Sequence, residues 1–533
     1  MWVQPINPLH HLELSALAAA TPLILVLAVM GGLRKSGYVS AAWGLLVSLV
    51  LAIMVWRMPL KLAIVSIVFG GVYALWPIMW IVFASLWLYN LAVEDGKFEL
   101  LRRWMAERAS GDLRIQVILV AFCFGALLEG TAGFGTPVAV TAFLLVGLGF
   151  VASQAVTVAL IANTAPVAFG AMGIPVVALA GVTGLPQSKL SSMVGRQLPF
   201  LSLIIPAYLV WVIAGRKGIR RAWPAASVGG VSFAVAQFAV SNAWGPYAAA
   251  IIAAMLSIAA LTLLLHYWKP ARDRLSESSA QVATPPPVPL TWSEATQAWT
   301  PWILLAAVMI LWSYLALFDR ASQRIAVPGL HNAIFIALYQ KPYAAIYSFQ
   351  PFAAGTAALV ATLITALLFR TPPRVVLGSA KKTARQLLLP SLTVVLIIAL
   401  AYLYNYSGMA YTLGAALASL GSLFPFFSGL LGWVACFMSG SDTSSNILFG
   451  NLQVAAAHQI GVKPVLLAAA NSSGAVAGKM ISPQNIAVGV TTVGLVGREG
   501  SVLRSVFWHS IFFALLISLL VLAQAHWLSW MVP

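Results

Sequence analysis

The chain has 533 residues, of which 61% are hydrophobic and only 8% are charged. Soluble domains carry about 25% charged residues, so this composition excludes an ordinary soluble protein and predicts one that crosses the lipid bilayer many times. The net charge of +17 does not indicate a nucleic-acid partner, because the sequence has no DNA- or RNA-reading motif. Its lysines and arginines lie between apolar stretches, where such residues set the orientation of membrane segments.

The apolar stretches predict about 12 transmembrane helices. In chain order they span 14–32, 39–56, 62–93, 154–184, 197–214, 223–241, 246–267, 301–318, 351–369, 388–405, 464–495 and 503–530. The stretch 62–93 is long for one crossing, so we expect it to tilt or to break at Pro77. Residues 94–114 mix charges with Leu and Trp, which predicts an amphipathic helix on the inner surface.

Two further apolar regions, 115–150 and 423–458, are each interrupted by a polar turn. The turns read Glu129-Gly-Thr-Ala-Gly-Phe-Gly-Thr-Pro137 and Ser439-Gly-Ser-Asp-Thr-Ser-Ser-Asn446. The apolar arms on either side are too short to cross roughly 30 Å of hydrocarbon comfortably. We therefore predict two re-entrant hairpins whose tips lie inside the protein, where irregular backbone is tolerated.

A polar pattern in the first half of the chain recurs in the second half at a constant offset of 308 residues. Asn163-Thr164, Gly170-x-Met172-x-x-Pro175 and Gly181-Val182-Thr183 return as Asn471-Ser472, Gly478-x-Met480-x-x-Pro483 and Gly489-Val490-Thr491. Such residues suit a lipid-facing helix poorly. They predict two broken helices, 154–184 and 464–495, interrupted near Asn163 and near Asn471-Ser472-Ser473. A pair of interrupted segments in matching positions is typical of secondary transporters.

The predicted fold class is an all-α polytopic membrane protein with two membrane halves, 1–267 and 301–533, joined by a cytoplasmic linker over 268–300. Most of the 30 lysines and arginines fall in inside loops if the N-terminus lies outside. In that topology the two hairpins open to opposite sides, and the two broken helices run in opposite directions. The repeats are therefore predicted to be inverted, as alternating access between two equivalent states requires.

Two of the 13 acidic residues, Glu129 and Asp442, lie deep in apolar surroundings at the hairpin tips. An ionisable group at membrane depth costs roughly 2.5–3.5 kcal/mol on insertion scales, so we predict that these two are functional and are the candidates for the group that carries a proton. A structural ion pair or a neutral, hydrogen-bonded carboxyl would also account for them. Lys479 is the only basic residue in the broken segments, and a buried ammonium needs an anion nearby. That anion is Asp442, Glu129 or a bound carboxylate.

The predicted substrate-binding residues surround the tips and the breaks. They are Thr131, Gly133, Gly135, Thr136, Asn163, Thr164, Ser441, Thr443, Ser444, Ser445, Asn471, Ser472, Ser473 and Lys479. Thr136-Pro137 has the pattern of a helix N-cap and first helical residue. Half-helices that begin at the tips would offer free N–H groups and a favourable dipole to an anion. The set suits a small hydroxycarboxylate, although small residues also allow helices to pack closely.

No pattern in the chain indicates an enzyme, a metal site or an ATP-driven pump. The two cysteines, Cys123 and Cys436, stand in apolar segments without other metal ligands, and lone histidines are weak candidates for proton carriers. We predict no cofactor. Besides a proton-coupled carrier, two hypotheses stay open: a sodium-coupled carrier that binds sodium at the helix breaks, and a channel for small anions.

Four blocks of this sequence closely resemble the bacterial lactate permease family. They are Glu129-Gly-Thr-Ala-Gly-Phe-Gly-Thr-Pro-Val-Ala139, Ile161-Ala-Asn-Thr-Ala-Pro-Val-Ala-Phe-Gly-Ala-Met-Gly-Ile-Pro175, Ser439-Gly-Ser-Asp-Thr-Ser-Ser-Asn446 and Gly478-Lys-Met-Ile-Ser-Pro-Gln484. The blocks lie in two regions of the chain, and the intervening residues 220–390 carry no diagnostic pattern.

The resemblance implies a permease of the bacterial inner membrane. It implies proton-coupled uptake of L-lactate and related 2-hydroxymonocarboxylates, D-lactate and glycolate. By analogy at the level of the fold, it also implies kinship with transporters whose paired hairpins and broken helices carry substrate in an elevator-like movement. Asp442 or Glu129 would then take the proton, while the helix N-termini at the tips bind the carboxylate.

Overall fold

The computed structural model describes residues 1–33, 35–108, 112–133, 135–268, 290–317, 320–336 and 341–533. Most of these residues are helical. The helices are α1 (Leu12–Leu27), α2 (Gly37–Met54), α3 (Leu60–Tyr73), α4 (Trp80–Glu94), α5 (Lys97–Arg108), α6 (Leu113–Thr131), α7 (Thr136–Gly147), α8 (Ala152–Ala162), α9 (Gly170–Thr183), α10 (Gln187–Ala243), α11 (Ala249–Tyr267), α12 (Trp292–Tyr314), α13 (Ala354–Leu368), α14 (Pro373–Ser407), α15 (Met409–Leu417), α16 (Phe424–Ser439), α17 (Asp442–Gln459), α18 (Pro464–Ile481), α19 (Pro483–Thr492) and α20 (Glu499–His526).

The described residues contain 10 helices that are long and apolar enough to cross a membrane, or 11 if a bent pair is counted as one span. The sequence predicts about 12. Helix α10 enters this count once, although it reverses direction at Gly215, whose backbone is not helical (φ 61°, ψ −164°). Across the turn, Ser202 donates a hydrogen bond to Gln237 at 2.7 Å, so the two halves pack antiparallel. They correspond to the predicted helices 197–214 and 223–241.

The predicted break in the long segment 62–93 is confirmed. Between α3 and α4 the chain forms a wide π-helical turn, Ala74–Met79, in which Trp76 leaves the helical conformation (φ −134°, ψ 121°). Pro77 follows at once and supplies no N–H to the helix, which explains why the interruption lies here. The amphipathic helix predicted for 94–114 is present as α5. It buries Phe98, Leu101 and Met105.

Both regions predicted as hairpins form helical hairpins, α6–α7 and α16–α17. In the second hairpin the hydroxyl of Ser445 donates to the Gly432 carbonyl across the two arms at 3.2 Å. The arms of the first hairpin are unequal, because α6 has 19 residues and α7 has 12. A helix as long as α6 reaches about 28 Å, so the argument from short arms fails for it. That the tips stop inside the membrane stays a prediction.

Both broken helices are present, but only the first is interrupted where the sequence predicts. Helix α8 ends at Ala162, and the helix that follows it is bent away by 68°. The second interruption is at Ser482, whose extended backbone (ψ 131°) separates α18 from α19. The prediction of a break at Asn471-Ser472-Ser473 was wrong. Pro483 disfavours a helical conformation at the residue before it, whereas Asn471 and its neighbours continue α18.

The second hairpin packs closely on α18 because glycines line their contact. A Cβ on Gly432 would overlap the carbonyl oxygen of Asn471, and a Cβ on Gly474 would overlap that of Gly429. Small residues allow this approach between membrane helices. Helix α17 also packs on α9, so elements from both halves of the chain meet around the second hairpin.

Several boundaries differ from the sequence prediction. Of the predicted linker 268–300, residues 269–289 lie outside the described residues, and the chain is helical again from Trp292. The hydroxyl of Thr291 accepts the Glu294 N–H, and the Glu294 carboxylate accepts the Thr291 N–H, which fixes this helix start. Helix α14 begins well before the predicted residue 388, and α15 was not predicted.

The described residues include five short strands, which were also not predicted and which lie at the N-terminus and between α12 and α13. They are β1 (Trp2–Val3), β2 (Gln323–Ala326), β3 (Ile334–Ile336), β4 (Lys341–Pro342) and β5 (Ile346–Phe349). Strand β1 pairs in parallel with β3, and β2 pairs antiparallel with β5. Gln4 adds hydrogen bonds to the carbonyls of Asn405 and Tyr406 at 2.9 and 2.8 Å. The N-terminus therefore lies on the same side as this segment.

Candidate functional site

The tips of the two hairpins lie against the breaks of the two broken helices. In the first tip, a Cβ on Gly133 would be 3.0 Å from the Cβ of Ala171, which stands in the first break with a left-handed backbone. In the second tip, the carbonyl of Gly440 accepts a hydrogen bond from Asn485 at 3.3 Å. A Cβ on Gly135 would in turn lie 3.5 Å from Val488 of α19. The N-terminal ends of α7, α17 and α19 thus come together.

Helix α7 starts one residue earlier than the Thr136-Pro137 pattern predicts. Thr136 is its first residue rather than its N-cap, and the N-cap is Gly135 in a left-handed conformation (φ 83°). No side chain caps this end. Helix α17 starts as expected for a capped helix, because the Ser441 hydroxyl accepts the N–H of Ser444.

A buried ion pair links the two halves of the chain at this place. Lys479, in the last turn of α18, donates to Glu129 of the first hairpin at 2.7 Å, and both side chains are less than 10% exposed. The other carboxylate oxygen of Glu129 accepts a hydrogen bond from Asn163 at 2.9 Å. A Cβ on Gly170 would overlap this carboxylate, so the glycine of the repeated motif makes room for the pair.

Asp442 occupies the first turn of α17 and has a different environment. Its side chain is buried, and the hydroxyl of Ser472 donates to its two oxygens at 3.0 and 3.3 Å. No lysine or arginine among the described residues forms an ion pair with it. Of the two tip carboxyls, Glu129 is therefore paired with a cation and Asp442 with a neutral hydroxyl.

The structure assigns several predicted site residues to internal contacts. Thr131 donates to the Leu127 carbonyl within its own helix. Ser445 donates across the second hairpin, and Ser473 donates to Gln197 of α10 at 2.7 Å. Thr443 is partly exposed at the second tip.

Thr164 stands apart from these residues. Its hydroxyl is buried beside Asn163 in the first break, and it has no hydrogen-bond partner among the described residues. Buried polar groups are nearly always hydrogen-bonded. An unsatisfied hydroxyl at a helix break is consistent with a group that a substrate or a water molecule contacts.

Three side chains outside the predicted binding set support the arrangement of the site. Asn446 donates to the Pro175 carbonyl at 3.1 Å and to Ser472 at 3.0 Å, so it connects the second hairpin to both broken helices. The sequence signal for this role is that Asn446 follows Asp442 by one helical turn and therefore lies on the same face of the helix. Gln453 contacts Asn471, and Asn485 contacts Gly440. Neither had a signal in the sequence, because each contact depends on how separate helices pack.

Within the described ranges, no three His, Cys, Asp or Glu side chains are grouped as metal ligands are. The site brings together a buried ammonium paired with a carboxylate, a second buried carboxyl, and hydroxyl and amide groups. Three helix N-termini also meet there, and helix N-termini attract negative charge.

The family model for L-lactate permease matches residues 15–528. An L-lactate permease of Salmonella typhimurium is 41% identical over 550 residues that cover all of both chains. An L-lactate permease of Bacillus subtilis is 42% identical, again over both whole chains. The glycolate permease GlcA of Escherichia coli is 42% identical over 98% of each chain. These relatives give no support to the sodium-coupled alternative.

Two solved transporters share the fold at low sequence identity. The YdaH transporter of Alcanivorax borkumensis has a TM-score of 0.54 and 15% identity, and the match covers 94% of this chain and 100% of the other. MtrF of Neisseria gonorrhoeae, described as an antimetabolite efflux pump, has a TM-score of 0.50 and 13% identity. Both support a polytopic transporter fold. Together with the family match over almost the whole length, these findings show that the chain is a multi-pass membrane transporter, not an enzyme, and that it belongs to the L-lactate permease family.

Proposed function

We propose that this transporter takes up L-lactate and the related 2-hydroxymonocarboxylates D-lactate and glycolate by symport with protons across the bacterial inner membrane. The names of the relatives support the substrate class, since they include both lactate and glycolate permeases. The chemistry of the site supports it independently, because a small carboxylate matches the convergent helix N-termini at the two tips.

The observation that best supports proton coupling is that the two buried carboxyls have different partners. Glu129 is held by the Lys479 ammonium, so its charge is balanced within the protein. Asp442 receives only the Ser472 hydroxyl among the described side chains. A buried carboxyl that no cation contacts takes up a proton more readily than one held in an ion pair. We therefore assign the proton to Asp442 and a structural role to Glu129.

The position of Asp442 suggests how proton and substrate are coupled. Its charge lies at the N-terminus of α17, where the helix dipole favours an anion. Protonation removes that charge and leaves the same N–H groups and dipoles to a substrate carboxylate. The charges of the proton and of the substrate carboxylate would then cancel, which lowers the free-energy cost of moving the occupied site through the apolar core. Thr164, with its unpaired hydroxyl, is our candidate for the contact with the 2-hydroxyl.

Labelled L-lactate uptake into liposomes that contain the purified protein tests the proposal. With an inward proton gradient and no sodium, we expect accumulation that a protonophore abolishes. Asp442→Asn should abolish this accumulation and retain lactate exchange, because the amide mimics the protonated carboxyl.

Asp95→Asn is the matched control, since Asp95 lies outside the site and accepts a hydrogen bond from Thr371. It should accumulate lactate like the unsubstituted carrier. Full accumulation by Asp442→Asn would refute the assignment of the proton. Accumulation that appears only when sodium is added would refute proton coupling itself.

A further inference from the structure

A chain of five hydrogen bonds runs through the second hairpin and α18 and ends on Asp442. Ser428 donates to the side-chain oxygen of Gln453 at 2.8 Å, and Gln453 donates to that of Asn471 at 3.3 Å. Asn471 then donates to Asn446 at 3.0 Å, and Asn446 donates to the Ser472 hydroxyl at 3.0 Å. The last bond is the one from Ser472 to the Asp442 carboxylate.

Every donor in this chain points toward Asp442. The five residues that precede the carboxylate are all 0% exposed, and Asp442 itself is 3% exposed. In a buried environment, successive hydrogen bonds polarise one another and strengthen by about 10–30% per bond. A chain of aligned donors that ends on a carboxylate favours its charged form.

Among the described residues, the first hairpin contains no comparable chain. Residues 117–128 of its first arm are apolar apart from Cys123, and the polar side chains of α7 are Thr136 and Thr141. Thr141 donates to the Pro137 carbonyl within its own helix. Packing of such a hairpin therefore does not require a buried polar pair like Ser428 and Gln453.

We propose that Ser428 and Gln453 are positioning residues for proton release from Asp442. They touch neither the carboxyl nor the tips. By orienting Asn471 and Asn446 they hold Ser472 as a donor and stabilise the carboxylate that remains when the proton leaves. The inference rests on the proposed function, because it concerns the proton that Asp442 carries.

Other groups around Asp442 contribute to its charge balance. Those near enough to act on it electrostatically are Lys479 of α18, Glu129 of α6 and the Cys436 thiol of α16. Helix α9, which also packs on α17, has no titratable side chain, and the buried titratable side chains of α14 and α15, which pack on it too, are tyrosines. The substitutions proposed next leave all of these groups in place.

The test compares two rates in liposomes for Gln453→Met, which keeps the side-chain length and removes the amide. Lactate exchange needs only the loaded carrier, whereas net uptake also requires proton release inside. We expect near-normal exchange and a net uptake that falls about threefold when the internal pH is low. Raising the internal pH should restore net uptake, because it favours loss of the retained proton. A purely structural defect would not respond in this way.

Ser428→Ala is the second, milder variant, and it should show the same pattern more weakly. Gln524→Met is the matched control. Gln524 is also 0% exposed. It belongs to a different hydrogen-bond chain, in which Ser473 donates to Gln197, Gln197 to Gln524, and Gln524 to the backbone carbonyl of Arg196, so this chain does not end on a carboxyl. Its ratio of net uptake to exchange should not change.

The outcomes separate this inference from the function on which it rests. If the unsubstituted carrier shows no proton-driven accumulation, the proposed symport fails and the inference fails with it. If that carrier does accumulate lactate, the symport proposal stands and the inference is tested by the ratio of net uptake to exchange. A ratio that is unchanged both in Ser428→Ala and in folded Gln453→Met overturns the inference and leaves the proposed symport intact. A loss that internal pH does not reverse overturns it as well.

Discussion

Lys479 has a partner inside the protein, which decides a question that the sequence left open. Its ammonium contacts the Glu129 carboxylate at 2.7 Å, although the two residues are 350 positions apart. Removing one member of a buried pair leaves an uncompensated charge and typically costs 3–5 kcal/mol, whereas replacing both members is often nearly neutral. The pair therefore connects the two halves of the chain at the depth of the site.

At the residue scale we predict that Lys479→Met lowers the free energy of unfolding by about 3–5 kcal/mol, because Glu129 is left buried without its cation. Adding Glu129→Gln should restore more than half of that loss. Unfolding in detergent with increasing denaturant measures both effects. The control is Lys382→Met, which breaks the exposed Lys382–Glu94 pair and should cost less than about 1 kcal/mol. Equal losses in the single and double variants would contradict the pairing.

The contact of the second hairpin with α18 sets the position of the Asp442 site. Gly432 and Gly474 bring the backbones so close that any side chain there meets a carbonyl oxygen. Asn471 and Ser472 lie on α18 within the same contact. A shift of α18 against the hairpin would therefore move the Ser472 hydroxyl away from Asp442.

At the element scale we predict that Gly474→Ala destabilises the protein by about 1–3 kcal/mol, because the added methyl group overlaps the Gly429 carbonyl. Lactate transport by the folded fraction should also fall. Gly378→Ala is the control, since it stands in α14 with open space around it and should stabilise the helix by roughly 0.5–1 kcal/mol. Thermal unfolding and liposome uptake measure the two effects. If both variants behave alike, close packing does not position the site.

The N-terminal strand ties the start of the chain to its second half. Strand β1 pairs with β3, and Gln4 contacts the end of α14. The N-terminus and the strand segment must therefore lie on one side of the membrane, whichever side that is. The distribution of basic residues predicts that it is the outside.

At the scale of the whole molecule we predict that Val3→Cys and Ile325→Cys are both labelled by a membrane-impermeant maleimide in intact cells, after removal of the outer membrane. Both positions are exposed, and the native Cys123 and Cys436 are buried, so the background should be low. Leu377→Cys, exposed on α14 and predicted to be inside, should react only after permeabilisation. Labelling of only one of the first two positions would contradict the strand pairing. Protection of both would reverse the predicted orientation.

Much of this architecture follows from local properties of the chain. Long apolar runs have few ways to satisfy their backbone in lipid, so they form helices. Proline removes a donor and restricts its neighbour, so Pro77 and Pro483 mark interruptions. The repeated motif predicts the two broken helices, and acidic residues within apolar segments identify the two tip carboxyls, because polar residues in such segments are costly unless they serve a site.

The tertiary structure decided what these residues contact. Nothing local distinguishes Glu129 from Asp442, yet helix packing gives one an ammonium and the other a hydroxyl. The same packing keeps Asn471 inside a continuous helix and links it to Gln453. The short strands also depend on it, since β1 pairs with residues more than 300 positions away. A sequence pattern reflects the local requirements of one segment, whereas contacts between distant segments depend on how the helices pack in three dimensions.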